Sequence, residues 1–372
     1  MVQDTVPRTS LAILTMPDSE RGFRGNHANF IDLIQMGKSR GVFVFVVTSS
    51  ELAQNKKRIR GHVYNADTDM WTRQLLPFPQ VIYNRIPTRT DEQQPEVSRM
   101  IAELLKNKTT KLFNPYFFNK WTLFEWLNKT KETKGFIPAT KKLASPFDLA
   151  EVIRSHPMVY LKPIRGKAGK GIMKLETGNL GGRFWCKLSV QDNKKSIVAS
   201  HFNFSKLWTR IKQETASDEY IIQQGIHLAE SNQRPFDLRV LMQKNELGKW
   251  RLTGIGARVA GNGSITTHVP RGGHIDNPER ALLSSFGHRK TPVLMKKLED
   301  TSLVIAKRIE KAAGYALGEM SLDLGVDKEG RIWFFEANSR PMKFDEPEIR
   351  RKSLERIIEY SHYLSQTKKK SG

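Results

Sequence analysis

Between Ser321 and Asn338, apolar and polar residues alternate with the period of two that an extended chain imposes on its side chains. Leu322, Leu324 and Val326 interleave with Ser321, Asp323 and Gly325. Asp327-Lys328-Glu329-Gly330 then has turn chemistry, and Ile332 to Asn338 alternates again. The pattern predicts a hairpin with Phe334, Glu336 and Asn338 on one face and Trp333, Phe335 and Ala337 on the other. In a regular ladder Val326 pairs with Arg331, Asp323 stands opposite Phe334, and Glu336 is one diagonal step from Asp323. Two carboxylates and an amide would then converge, a set of hard oxygen ligands that suits Mg²⁺ when substrate phosphates complete its shell. A strand pair with a solvated polar face would leave the same pattern.

Periodicity elsewhere predicts a mixed α/β protein. Strands are expected at 11–15, 42–47, 58–64, 70–76 and 81–85, with helices at 28–39 and 95–106, which makes 1–113 an N-terminal α/β domain. Asn119 is placed to cap a helix through Trp121, Phe124 and Leu127, and a further helix is expected over 146–155. Strands follow at 158–163 and 172–176, with a strand pair over 182–200, a helix capped by Ser205, and a strand at 220–224. The strands 236–242 and 251–259, a helix over 292–314 and a terminal amphipathic helix over 347–364 complete the chain. The expected division is 114–222, 223–365 and a basic tail at 366–372, which ends in KKKSG.

The segment between 158–163 and 172–176 reads Gly166-Lys167-Ala168-Gly169-Lys170-Gly171. Glycines let successive backbone N–H groups point at a phosphate, and Lys162, Arg165, Lys167 and Lys170 supply counter-charge. A Walker A loop would need Lys-Ser/Thr and then a helix, whereas Gly171 is followed by Ile172 and a strand. The dinucleotide-binding fingerprint also requires a helix there. What remains is a glycine flap between antiparallel strands. Arg21 to Gly25 is a second loop of arginines and glycines, which solvation alone would explain.

Composition narrows the partners. Sixty-one Lys and Arg against 38 Asp and Glu give a net charge of +23, which favours nucleotide phosphates, an acidic peptide or protein, or another polyanion. The basic residues are dispersed, so nucleic acid ranks behind nucleotide phosphates and an acidic peptide or protein. No apolar run reaches the ~18 residues of a membrane span, and the start has no signal-peptide pattern, which points to a cytoplasmic protein without membrane insertion. The single cysteine, Cys186, excludes an internal disulfide and is expected to be a packed thiol.

The ordered set of motifs resembles the ATP-grasp superfamily, and within it the YheC/YheD group described as endospore coat-associated. The motifs are Lys120; Pro138 to Thr140; LKP at 161–163 with its glycine loop; QQGI at 223–226; DLR at 237–239; Arg258; THVPRGG at 267–273; SLDLG at 321–325; and FFEANSRP at 334–341. The resemblance covers 115–345, and LAILT at 11–15 with VIYNRIPTR at 81–89 looks like the group's own first domain. It implies an ATP-grasp fold with an N-terminal α/β domain. It also implies an ATP-dependent carboxylate-amine ligase that forms an amide through an acylphosphate, with ATP and Mg²⁺ bound and spore association. A coat-associated ATP-binding protein without turnover is the alternative.

By position, Lys120 and Lys162 resemble the lysines that hold the ATP phosphates, with Gly166, Lys167, Gly169 and Gly171 in the flap. Gln223, Gln224 and Ile226 match the adenine segment and Asp237 the position near the ribose; the family usually has an acid where Gln224 stands. Arg258 and Lys162 take the catalytic positions, Arg258 as the group facing the transferred phosphoryl. Asp323, Glu336 and Asn338 match the metal ligands. Charge and position leave Arg239, His268 and Arg271 for the substrate carboxylate.

Overall fold

The computed structural model describes residues 9–52, 57–165, 170–192, 195–201, 203–216, 218–267 and 272–367. Three six-stranded or nearly six-stranded sheets carry the fold. In the first, Val42–Thr48, Thr9–Thr15, Val81–Asn84 and Lys111–Phe113 run parallel, and the hairpin Arg58–Asn65 with Met70–Pro77 extends one edge. Both faces of Thr9–Thr15 are covered, as a parallel strand requires. Leu11 and Ile13 meet Phe30 and Leu33 on one side, and Ala12 and Leu14 meet Met100, Ile101 and Leu104 on the other.

The first of those cores is completed from the far end of the chain. Helix Pro347–Gln366 buries Leu354, Ile357, Ile358, Tyr360 and Leu364 against the same strands. Its Arg350 pairs with Asp32, and its Glu355 and Glu359 pair with Arg40. The expected terminal helix is thus present, with Gln366 as its last residue; 368–372 lie outside the described residues.

The second sheet is antiparallel, in the order Lys195–His201, Arg183–Asp192, Met173–Leu180, Met158–Pro163, Tyr220–Gln224, Thr140–Leu143. Leu161, Leu175, Leu188 and the buried Cys186 thiol lie on its inner face under Leu149, Leu207 and Ile211 of helices Pro146–Ser155 and Phe204–Thr215. Asn203, not Ser205, caps the latter helix, its side chain accepting from Ser205 and Lys206 N–H.

The third sheet orders His274–Asp276, Trp250–Val259, Arg234–Lys244, Glu319–Val326 and Ile332–Asn338. Helix Pro278–Ala313 covers it with Leu294, Leu298, Ile305 and Ile309. Asn277 caps its start and Pro278 fits the first turn, but Gly287, at φ 72° and ψ 175°, is not helical, so two helices meet there across a kink. The second matches the helix expected from Pro292, beginning about one turn earlier, and the shorter helix ahead of Gly287 is not among the expected elements.

Candidate active site

Helix Lys120–Asn128 starts where Asn119 accepts from Thr122 N–H, and it presents Lys120 to a cavity of about 260 Å³ between the second and third sheets. From the second sheet come Tyr160, Lys162, Gln223 and Gln224. The third supplies Asp237, Arg258, Asp323, Phe335 and Glu336. Nine of the expected residues therefore share one cavity: Lys120, Lys162, Gln223, Gln224, Ile226, Asp237, Arg258, Asp323 and Glu336.

The hairpin is present, but its register differs from a regular ladder. Val326 pairs with Ile332, Leu324 with Phe334, and Asp323 with Glu336, so Phe335 is an extra residue on its strand. A bulge of this kind re-aims the side chains beyond it. Phe334 turns into the hydrophobic core, whereas Phe335 and Glu336 both line the cavity. Two local causes are visible. The Phe334 N–H leaves the ladder to donate to the Phe136 carbonyl at 2.7 Å. Gly325 leaves room for the Phe335 ring, because a Cβ there would stand 2.5 Å from it. The loop is also one residue longer than expected, since Asp327 Oδ1 accepts from both Glu329 and Arg331 N–H. Asn338, opposite Ser321, lies two pairs further along the same ladder and off the cavity lining.

Asp237 and Arg258 are cross-strand partners and form a buried two-pronged ion pair, at 2.8 and 2.6 Å. The same Arg258 nitrogen that meets Asp237 Oδ2 also lies 2.9 Å from Asp323 Oδ2. Burial alone would pull the pKa of Arg258 down, but the Asp237 and Asp323 carboxylates outweigh it and push it up. Lys120 Nζ is 3.4 Å from Glu336 Oε2. Every acid of the cluster is thus matched by a cation before any ligand enters.

Lys162 is held between the rings of Tyr160 and Phe335, 5.6 and 5.3 Å from their centroids, and donates to Gln223 Oε1 at 2.6 Å. Burial, reinforced by the Lys120 charge, pulls its pKa down to about 8 against the opposing pull of Glu336, Asp237 and Asp323. Gln223 in turn donates to Thr140 Oγ1. Gln224, whose side chain accepts from Ala139 N–H, does not point an unpaired amide oxygen at the cavity. Neither backbone group of Ile226 is hydrogen-bonded to another described residue.

Residues 109–364 match the YheC/D like ATP-grasp family. The chain belongs to that family. It is 29% identical to the endospore coat-associated protein YheD of Bacillus subtilis, over 93% of this chain and 76% of that protein. Among solved structures, it resembles the ATP-grasp ligase PsnB complexed with precursor peptide PsnA2 and AMPPNP, with TM-score 0.54 and 12% identity over 96% and 98% of the two chains. It also resembles the VanG D-Ala:D-Ser ligase of Enterococcus faecalis, with TM-score 0.51 and 10% identity over 95% and 99%. These likenesses establish the ATP-grasp fold that the motif order implies.

The remaining expected positions are dispersed. Gly171 takes φ 73° at the end of the flap, where its carbonyl accepts from the Tyr220 hydroxyl. Arg239 lies off the cavity, its guanidinium 5.5 Å from the Phe344 ring and its Nε buried without a hydrogen-bond partner. Gly166, Lys167, Gly169, His268 and Arg271 lie outside the described residues. Pattern reading did not single out Tyr160, Lys174, Glu230 or Phe335, all of which border the cavity. Tyr160 and Lys174 sit two residues along their strands from positions already facing it, so period two could have found them. Phe335 could not be found that way, because the bulge alone turns it.

Asp323 and Glu336, directly opposed, offer carboxylate oxygens at the cavity, and the Asn338 amide stands two pairs along the same ladder, off the lining. Among the described residues no three His, Cys, Asp or Glu side chains form a metal cluster. Two acids and an amide fit Mg²⁺, which keeps much of its shell for waters and phosphates. They do not resemble a closed zinc site.

Proposed function

We propose that this protein is an ATP-dependent carboxylate-amine ligase acting on an acidic peptide or protein. The observation that carries the proposal is the cross-strand pair Asp323–Glu336, gathered with Lys120, Lys162 and Arg258 around one cavity. Phosphoryl transfer asks little acid-base work of a protein and much neutralisation of charge. Lys120 and Lys162 would hold the nucleotide phosphates, and Ile226 with the apolar end of the cavity would take the adenine. Both Asp237 oxygens accept from Arg258, so in this reading it orients the arginine more than it contacts a ribose. Arg258 NH1, which contacts no described residue by hydrogen bond or ion pair, is the nitrogen left for the transferred phosphoryl.

Asp323, Glu336 and Asn338 would hold Mg²⁺, whose charge would offset that of the phosphates. An oxygen of the substrate carboxylate attacks the γ-phosphorus, the bond to the β,γ-bridging oxygen breaks, and ADP leaves. The amine then attacks the acyl carbon of the acylphosphate; inorganic phosphate departs with the electron pair and the nitrogen loses a proton. Arg239, His268 and Arg271 are proposed for the substrate carboxylate. A net charge of +23 favours an acidic acceptor, and the peptide in the PsnB complex supports a peptide-class one.

The relatives' names, endospore coat-associated proteins, support association with a spore coat, and the second reading is a coat component that binds ATP without turnover. An ADP-release screen against amino-acid, peptide and poly-acid acceptors, with Glu336→Ala as control, separates the two. Acceptor-dependent ADP supports the ligase; ATP binding with no ADP under any acceptor supports the coat component. Formation of AMP and pyrophosphate alone rejects the ligase mechanism. No helix among the described residues is long and apolar enough to cross a membrane, and a cytoplasmic, spore-associated location is part of the same proposal.

A further inference from the structure

The segment that follows the metal-ligand positions is held entirely from outside its own sheet. Arg340, almost wholly buried, donates through NH1 to the Ile86 carbonyl at 2.9 Å and through NH2 to the Pro115 carbonyl at 2.8 Å, and it forms a short ion pair with Glu92. Its guanidinium also lies 4.1 Å from the Phe117 ring centroid. Glu92 has a second task. Its two carboxylate oxygens accept from the Phe117 N–H at 3.1 and 3.2 Å.

Phe117 stands two residues before Asn119, the cap of the Lys120 helix, and Arg340 two residues after Asn338. One buried carboxylate therefore ties the backbone leading into Lys120 to the backbone leaving the Glu336–Asn338 strand. Those are the elements that meet where Lys120 Nζ approaches Glu336. The flanking residues are tied as well. Arg85 donates to the Pro341 carbonyl at 3.2 Å, the Ser339 hydroxyl to the Tyr116 carbonyl at 2.8 Å, and the Asn114 amide to the Ser339 carbonyl. Asn114 adopts φ 55° to do so, an unusual left-handed conformation for a residue with a Cβ.

We infer that Arg340 and Glu92 are a positioning pair, which sets the separation between Lys120 and the Glu336–Asn338 ligands and so tunes how Mg²⁺ couples to nucleotide binding. The inference rests on the ligase reading only in taking those three residues as the phosphate and metal groups. Arg340 spends NH1 and NH2 on carbonyls and the Glu92 carboxylate and lays its plane near the Phe117 ring, and its Nε is buried without a hydrogen-bond partner. It stands off the cavity lining, so it does not contact substrate there. A lysine in its place keeps one charge for Glu92 but cannot reach Ile86, Pro115 and Glu92 together.

The test is calorimetric titration of ATP into the full chain at a series of Mg²⁺ concentrations, for the wild type and Arg340→Lys, with melting temperatures recorded. Arg340→Lys is expected to fold, to bind ATP without Mg²⁺ within about twofold of wild type, and to need about tenfold more Mg²⁺ for half of the metal-induced gain in affinity. A folded Arg340→Lys chain with wild-type Mg²⁺ dependence overturns the inference while leaving the ligase reading intact. Should Arg340→Lys not fold, Glu92→Gln, which keeps a hydrogen-bonding oxygen for the Phe117 N–H, decides by the same shift or its absence. A wild-type chain whose ATP binding ignores Mg²⁺ overturns the ligase reading and this inference with it.

Discussion

Asp323 and Glu336 stand directly opposite each other across two antiparallel strands, although a regular ladder would set Phe334 against Asp323. The single extra residue, Phe335, creates the opposition. It turns one aromatic ring into the core and the next onto the cavity wall, beside the Lys162 ammonium.

That opposition predicts a metal-specific defect. Glu336→Gln keeps the shape of the side chain but removes the charge. It is expected to lower Mg²⁺-dependent ADP release by about 100-fold or more, in line with the loss of one electrostatic group at a transferring centre. ATP affinity measured without Mg²⁺ should change little. Coupled ADP assays and metal-free titration check the two halves separately.

Lys162 predicts a pH dependence with opposite signs for binding and stability. Its pKa is pulled down to about 8 by burial and by Lys120. The ammonium that would hold a phosphate is therefore lost as pH rises past 8, and ATP affinity should fall about tenfold between pH 7 and 9. The unfolded chain keeps that proton to about pH 10, so it binds more protons than the folded one in between, and the ligand-free protein gains stability as pH rises from 8 towards 10. Lys162→Met should flatten both trends; a wild-type binding profile that stays flat to pH 9 contradicts the assignment.

The Asp237–Arg258 pair is buried on both sides. Asp237→Asn leaves the guanidinium with Asp323 as its one charged partner in the pair of contacts described, and breaking a buried pair from one side costs about 3 kcal/mol or more. Urea unfolding should show that loss, together with reduced turnover under saturating ATP. An Asp237→Asn chain as stable as wild type would mean that Asp323 alone suffices to hold Arg258.

Helix Pro347–Gln366 lies at the far end of the chain yet completes the core beside Thr9–Thr15. Ile357→Ala is expected to cost about 2–5 kcal/mol. Hydrogen exchange should locate the loss in the Thr9–Thr15 and Val42–Thr48 strands as well as in the helix. A loss confined to the helix would show that the first sheet is stable without it.

The chemical inventory was legible in the residues themselves. Lys120, Lys162, the strand ending in Gln223-Gln224, Asp237 and Arg258 in mid-strand, and the acids Asp323 and Glu336 of the hairpin all border one cavity, and all but Lys120 owe their place there to a particular phase of a strand. Period two also placed most strands, because one buried and one polar face leave a local signature. The short helix ahead of Gly287 is not among the expected elements, although the non-helical Gly287 that separates it from the expected helix over 292–314 is itself a local feature.

What the local pattern does not encode is anything that depends on a distant partner. The bulge at Phe335 depends on a carbonyl from Phe136 and on the absence of a side chain at Gly325, neither of which changes the alternation of Ile332 to Asn338. The pairing of Asp237 with Arg258 follows from strand register, and the use of Arg340 as an anchor follows from Glu92, nearly 250 residues earlier. Sequence determined which groups the site contains, because side-chain chemistry and strand phase are local. Tertiary structure decided which of them meet, because register, burial and charge pairing are set by residues far apart in the chain.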